Sequence, residues 1–181
     1  MADDKKEPWL NLLALTTVIL AVCATLSTFK GGGFSTRSVL RQSQASDQWA
    51  YYQAKSIKGN LYEMDREHLV REIKLLEGGK GGGAALEDAR KALEDAKVKI
   101  TKYDKEKAEI KEKAESLEKE RDDATKHGAP FGLAVIYLQI AILLSSIAAL
   151  MKKQPIYWVG LAVGVVGLVY FANGFYLFFP A

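Results

Sequence analysis

The segment Trp9–Phe29, WLNLLALTTVILAVCATLSTF, runs for 21 residues without a charge, and nothing else in the chain constrains its fold as strongly. Phe131–Met151, FGLAVIYLQIAILLSSIAALM, and Ile156–Ala181 share the property. A helix rises about 1.5 Å per residue, so about 20 apolar residues cross the ~30 Å hydrocarbon core of a bilayer. Each segment therefore reads as a transmembrane helix. The first is too long for the apolar part of a secretion signal, about 7–15 residues. Ser27-Thr28-Phe29-Lys30 is also a poor cleavage site, so the segment is read as an uncleaved anchor.

Proline placement agrees with three spans. Pro8, Pro130 and Pro155 each stand just before an apolar segment, and Pro180 lies at the end of the last. Proline suits a first helical turn, where its missing N–H has no partner in any case, and it disrupts helix interiors. Trp9, Tyr157, Trp158, Tyr170 and Tyr176 mark the segment ends. Amphipathic aromatic residues collect at such membrane–water boundaries.

The overall composition, 49% hydrophobic and 26% charged, resembles that of a soluble protein only because two populations are averaged. Between Gly31 and His127 lie 20 Lys or Arg and 19 Asp or Glu, with no proline. A near-neutral segment lacks the one-signed patch that nucleic acid requires. It has no strand-like alternation and reads as helical.

Its second half has a register. With Leu86 as position a, the a residues are Leu86, Leu93, Ile100, Lys107, Ala114 and Arg121. The d residues are Ala89, Ala96, Tyr103, Ile110, Leu117 and Ala124. This spacing predicts a coiled-coil seam. Flanking charges alternate in blocks: Lys97 and Lys99, Asp104 and Glu106, Lys111 and Lys113, Glu118 and Glu120. Such alternation disfavours a one-heptad slip against a similarly patterned partner. In the first half, the expected seam is Ala50, Ala54, Ile57, Leu61 and Met64, shifting through a stutter to Leu69, Ile73 and Leu76. Gly59 is an expected kink, because glycine costs about 1 kcal/mol of helix propensity.

Between the halves stands LLEGGKGGGAALEDA. A phosphate-binding loop needs Ser or Thr after its lysine and a buried strand before its glycines. Here Gly81 follows Lys80, and a charged helix precedes. Phe34–Glu77 and Ala84–His127 are both 44 residues long, so the glycines read as a turn between matched antiparallel arms. KGGGF at Lys30–Phe34 reads as a flexible hinge, and KHGAP at Lys126–Pro130 as a helix stop and restart.

The expected architecture is an all-α integral membrane protein: three transmembrane helices, with a long antiparallel coiled-coil hairpin inserted between the first and second. Its parts are an N-terminal tail (1–8), a first span (9–29), a glycine hinge (30–37), a first arm (38–77), a glycine turn (78–83) and a second arm (84–127). A second span (130–151), a basic loop (152–155) and a third span (156–179) follow. Lys152 and Lys153 in the short loop, with Lys5 and Lys6, favour a cytoplasmic N-terminus and an extracytoplasmic hairpin. Lys30, Arg37, Arg41, Arg121 and Lys126 pull in the other direction.

Residues suited to catalysis are sparse. His68 and His127 stand apart, and Cys23 lies within an apolar segment. Neither a cofactor motif nor a set of metal ligands emerges, and no catalytic residue is assigned. The spans contain no Asp, Glu, Lys, Arg or His, whereas proton relays and ion-coupled transporters usually carry such groups. Asn11, Thr16, Thr17, Thr25, Gln139, Ser145, Ser146 and Asn173 are candidates to line a pore, or else to bond between helices and to their own backbone. Gly160, Gly164 and Gly167 offer a small-residue face for helix packing, within one protomer or between protomers. Trp49 and Tyr52, in ASDQWAYYQAKSIK, share a helix face and are candidates for core packing, for packing where protomers meet, or for binding a partner.

WLNLLALTTVILAV, the glycine segment and QASDQWAYYQAKSIK together resemble a membrane family known as domain of unknown function 4337. The resemblance spans the chain and is most specific at Trp49-Ala50-Tyr51-Tyr52. It implies a bacterial inner-membrane protein and brings no activity, cofactor or catalytic residue. The expected function is that of a homo-oligomeric membrane scaffold or adaptor, with the lipid bilayer, further copies and a protein bound by the hairpin as partners. The alternatives are an oligomeric channel with the hairpin as vestibule and an accessory subunit of a larger membrane complex.

Overall fold

The computed structural model describes residues 8–79 and 83–179. The expected N-terminal tail, apart from Pro8, and the tip residues Lys80, Gly81 and Gly82 lie outside the described residues, as does Pro180. Helix α1 spans Pro8–Glu77, α2 spans Gly83–Met151 and α3 spans Gln154–Tyr176. All three are long and apolar enough, over part of their length, to cross a membrane.

Both expected interruptions are helical: α1 continues through Lys30–Phe34, and α2 through Lys126–Pro130 with Pro130 inside it. Gly31 and Gly128 serve close approach rather than bending. A Cβ on Gly31 would stand 3.1 Å from the Phe131 Cβ, and one on Gly128 would stand 3.4 Å from the Phe34 Cβ. Glycine lets two helix backbones meet where a side chain would hold them apart. Around this contact Phe34 stacks on Phe131 and on His127, with centroids 6.0 and 5.2 Å apart. The His127 Nδ1 donates to the Gly174 carbonyl at 3.0 Å, tying α2 to the end of α3.

The chain forms two compact units. In the first, made of the chain up to Leu40 and from Glu120 onward, the three helices share a core. Leu20 and Ala24 of α1 pack with Ala134, Leu138 and Ala141 of α2, and Val163, Leu168 and Phe171 of α3 cover them. Nearer the other end Leu13, Ala148 and Tyr157 form a second cluster beside Trp9. The reversal into α3 is tight. Lys152 adopts φ 50°, and the Lys152 and Lys153 N–H groups donate to the Ala149 and Ala148 carbonyls. This satisfies carbonyls that a helix end leaves open. At the far end of α3 Leu177 is left-handed, with φ 51°, and the buried Asn173 holds the following chain by two hydrogen bonds. Its Nδ2 donates to the Phe179 carbonyl at 2.9 Å and its Oδ1 accepts from the Phe179 N–H at 3.1 Å.

In the second unit, Arg41–Lys119, α1 and α2 run antiparallel. Trp49 meets Glu118, Lys55 meets Glu106, Tyr62 meets Tyr103 and Glu77 meets Arg90, so positions rise in one helix as they fall in the other. On α2 the buried stripe matches the sequence register. Ala89, Ala96, Ile110, Ala114 and Leu117 are buried, while Leu86, Leu93, Ile100 and Tyr103 are half-buried.

On α1 the register expected from sequence is displaced. Ala50, Ala54, Ile57, Leu61 and Met64 are exposed. The face turned to α2 contains Ala45, Trp49, Tyr52, Lys55, Gly59, Tyr62, Arg66, Leu69, Ile73 and Leu76. From Tyr52 onward those positions step by three and four without a stutter. The helix also runs straight through Gly59, whose missing side chain leaves the Tyr103 Cβ room 3.8 Å from where its own Cβ would stand. Bulky aromatic and long cationic side chains mask this face from a reading based on aliphatic residues.

Candidate functional site

Three regions of the molecule carry the residues singled out by sequence. The first is the glycine face of α3. A Cβ on Gly160 would stand 3.1 Å from the Leu144 Cβ, and one on Gly164 the same distance from the Leu20 Cδ1. On Gly167 it would approach the Leu138 Cγ to 2.8 Å. These glycines are buried against α1 and α2 of their own chain. Their face is thus taken up within the protomer, one of the two uses that the sequence leaves open.

Polar groups in the apolar segments are turned back on their own helices. Thr17, Thr25 and Ser146 donate to the carbonyl four residues earlier, at 2.7, 2.9 and 2.9 Å. Thr16 donates to the Leu13 carbonyl at 3.0 Å and lies 3.3 Å from the Tyr157 hydroxyl. In an apolar medium such bonds satisfy the hydroxyl at little cost. Ser145 is buried in the helix bundle, while Asn11 and Gln139 are exposed. Asn173 closes the end of α3, as described, so these candidates do not converge on one lining.

The second region is the polar middle of the helix pair. Lys55 places its Nζ 2.7 Å from the Glu106 Oε2, and 5.2 and 5.3 Å from the Tyr51 and Tyr103 ring centroids. The ion pair lies at hydrogen-bonding distance, though its angles are less than ideal. Glu106 holds the Lys55 ammonium above its usual range, and Lys55 in turn holds the Glu106 carboxyl below the usual carboxylate range. Asp104, 2.8 Å away, raises Lys107 in the same manner. Lys99 lies over the Tyr62 ring at 4.9 Å.

Trp49 joins this seam near its other end. Its Nε1 donates to the Glu118 Oε1 at 2.9 Å, and its ring meets Tyr52 edge-on with centroids 5.6 Å apart. Both residues are half-buried, with Trp49 bonded to Glu118 of their own α2, which is the core-packing use among those the sequence leaves open. Of the charged flanks, Lys99, Glu106, Glu118 and Glu120 meet residues of α1. The alternation in sequence signalled that role, whereas the Tyr51–Lys55–Tyr103 arrangement had no periodic signature. These interactions pair α1 with α2. Among the described residues, no group of three or more His, Cys, Asp or Glu is placed to hold a metal ion. His68 is exposed and lies 4.0 Å from the Glu72 carboxylate.

The third region is the outer face of α1. Ile57, Leu61 and Met64 are 62, 55 and 65% exposed, and Ala50 and Ala54 continue the row with no side chain over them. Their steps of four and three residues are those of a helix-packing seam. The sequence marks these residues and their spacing, and in the structure they face away from α2.

The chain belongs to the family described as domain of unknown function DUF4337, whose model matches residues 9–177. No curated protein matches, and no solved structure does.

Proposed function

We propose that the protein is a self-assembling membrane scaffold or adaptor. Its three apolar segments cross the bilayer, the Arg41–Lys119 helix pair forms a coiled-coil hairpin outside it, and the outer α1 face joins copies. The observation that supports this most directly is the exposed row Ala50–Ala54–Ile57–Leu61–Met64. An antiparallel hairpin that worked alone would keep its apolar residues on the inner seam and its polar residues outside. This helix carries apolar residues on both faces, and its outer row has the spacing that accepts another helix. Another copy of the chain is the partner.

The bacterial inner membrane, with the N-terminus cytoplasmic and the hairpin extracytoplasmic, is the location we infer from the family resemblance and the short Lys152–Lys153 loop. The backbone-bonded hydroxyls favour this reading over a channel, and we propose no catalytic role.

The test is the mass of the complex extracted gently from native membranes, compared with that of Leu61→Lys combined with Met64→Lys. A defined homo-oligomer that the double variant reduces to monomers supports the proposal. A monomeric wild type defeats it, and a stoichiometric second protein makes the chain an accessory subunit instead.

A further inference from the structure

We propose that α1 carries a binding site for an anionic phospholipid, with its headgroup at Lys30 and Arg37 and one acyl chain along the helix below. The inference rests on the reading that Trp9–Phe29 lies in a bilayer. A notch of about 620 Å³ opens on α1, lined by Phe29, Lys30, Gly32, Gly33, Thr36 and Arg37 among others. Its floor is the paired glycines: a Cβ on either would meet nothing within 4 Å. Gly31, by contrast, is needed where α1 approaches Phe131. Two adjacent glycines weaken helix propensity here. Among the described residues no helix uses the space, which leaves room for close approach of another molecule.

Charge identifies the molecule. Lys30 forms no ion pair among the described residues, and Arg37 touches Glu120 through one nitrogen only, at 3.4 Å and with both side chains partly exposed. One ammonium and the free edge of a guanidinium, beside the Thr36 hydroxyl, form a donor set for a phosphate. Phe29 is 77% exposed at the same place, which suits the glycerol and upper acyl region rather than water.

A second groove specifies a lipid rather than free phosphate. About 330 Å³ of open volume lies along Val18, Ala21, Val22, Thr25 and Leu26. Val18, Val22, Thr25, Phe29 and Gly32 follow one another at steps of four, three, four and three, so groove and notch lie on the same helix face. From Phe29 to Val18 is about 16 Å along the axis, close to half the ~30 Å bilayer core. A single leaflet's acyl chain fits that length.

Full-length protein in a zwitterionic detergent, given equal amounts of phosphatidylglycerol and phosphatidylcholine, tests this by the lipid it retains in native mass spectrometry. The wild type should retain the anionic lipid at least fivefold over the zwitterionic one. Lys30→Gln with Arg37→Gln should bring the ratio to about one. Gly32→Leu with Gly33→Leu, which fills the notch and improves helix propensity, should do the same with both charges intact.

Equal retention by the wild type, or an unchanged ratio in either variant, overturns the proposal. Displacement of the lipid by millimolar inorganic phosphate, whatever the acyl chain, overturns the lipid assignment in favour of a phosphate site. Alkaline carbonate extraction of the same membranes separates the premise from the inference. A chain released by carbonate refutes the membrane reading, whereas a retained chain without lipid preference refutes this site alone.

Discussion

Replacing Gly167 by alanine adds one methyl group at a point of close approach between α3 and the backbone of α2. That carbon would lie 2.8 Å from the Leu138 Cγ, 2.9 Å from its Cδ2 and 3.0 Å from its backbone nitrogen. Rotating Leu138 relieves the first two contacts. The third involves backbone, and Leu138 is itself fully buried against Leu20 and Ala24. Relief therefore requires the helices to separate by a few tenths of an ångström. Overpacking of this kind costs about 1–3 kcal/mol. Alanine returns about 1 kcal/mol of helix propensity, so the net loss is about 0–2 kcal/mol.

Gly132→Ala is the matched control, because a Cβ there meets nothing within 4 Å and only the propensity gain of about 1 kcal/mol remains. The two variants should differ by about 1–3 kcal/mol, the packing cost alone, since the propensity gain cancels between them. Unfolding of the full-length protein by sodium dodecyl sulfate, followed through tryptophan fluorescence, measures the difference. If Gly167→Ala is as stable as Gly132→Ala, the claim that α3 is held by direct backbone approach is refuted.

Other expectations follow from the same contacts. Ile110→Ala, which removes a buried side chain from the helix pair, should cost about 2–4 kcal/mol in thermal unfolding monitored by circular dichroism. Leu61→Ala on the outer face should cost at most about 0.5 kcal/mol in the isolated protomer while lowering the mass of the complex. Glu106, with its folded pKa depressed below 4.5, stabilises the fold above that pH and loses its contribution as pH falls through the folded value. The melting temperature should accordingly fall between pH 5 and pH 3 by less in Glu106→Gln than in the wild type, and equal falls would exclude the Lys55 pair as a source of acid sensitivity. Asn173→Ala leaves the Phe179 N–H and carbonyl without their partners and should cost about 1–3 kcal/mol in the same detergent titration.

Much of this fold is legible in the chain because its signals are one-dimensional. Charge-free length alone marks Trp9–Phe29, Phe131–Met151 and the α3 segment, and strict heptads mark α2 from Leu86 to Leu117. What sequence misassigned depends on a second helix being present. Gly31 and Gly128 look like hinges by composition, yet each lies where the other helix's backbone comes close, and only the pairing of α1 with α2 reveals that use. Pro130 sits within α2 although it cannot donate to the carbonyl four residues earlier. The α1 register failed for a related reason. Tyr52, Lys55, Gly59, Tyr62 and Arg66 do not score as a seam until Tyr103, Glu106 and Lys107 lie opposite, because their burial rests on stacking, an ion pair and a vacancy rather than on aliphatic packing.

The misassigned register carries the functional argument. Trp49, Lys55 and Tyr62 join α1 to α2 by specific but individually weak contacts, since partly exposed ion pairs are each worth about 0–1 kcal/mol. Ile57, Leu61 and Met64, the aliphatic residues best able to stabilise an arm by burial, face away from it. Burying each would contribute about 1.5–3 kcal/mol relative to leaving it exposed. Leu69, Ile73 and Leu76 keep an apolar stretch on the inner face, so the outer row is apolar surface beyond what the pairing with α2 uses. Under the proposed assembly, the inner seam would set which residues face outward, and burial of the outer row against another copy would supply the energy. Moving a leucine from the outer row to the inner, as in Leu61→Gln combined with Tyr62→Leu, should therefore weaken the complex while leaving the protomer folded. A protomer that gained its oligomeric mass unchanged from that exchange would show that the row has no part in assembly.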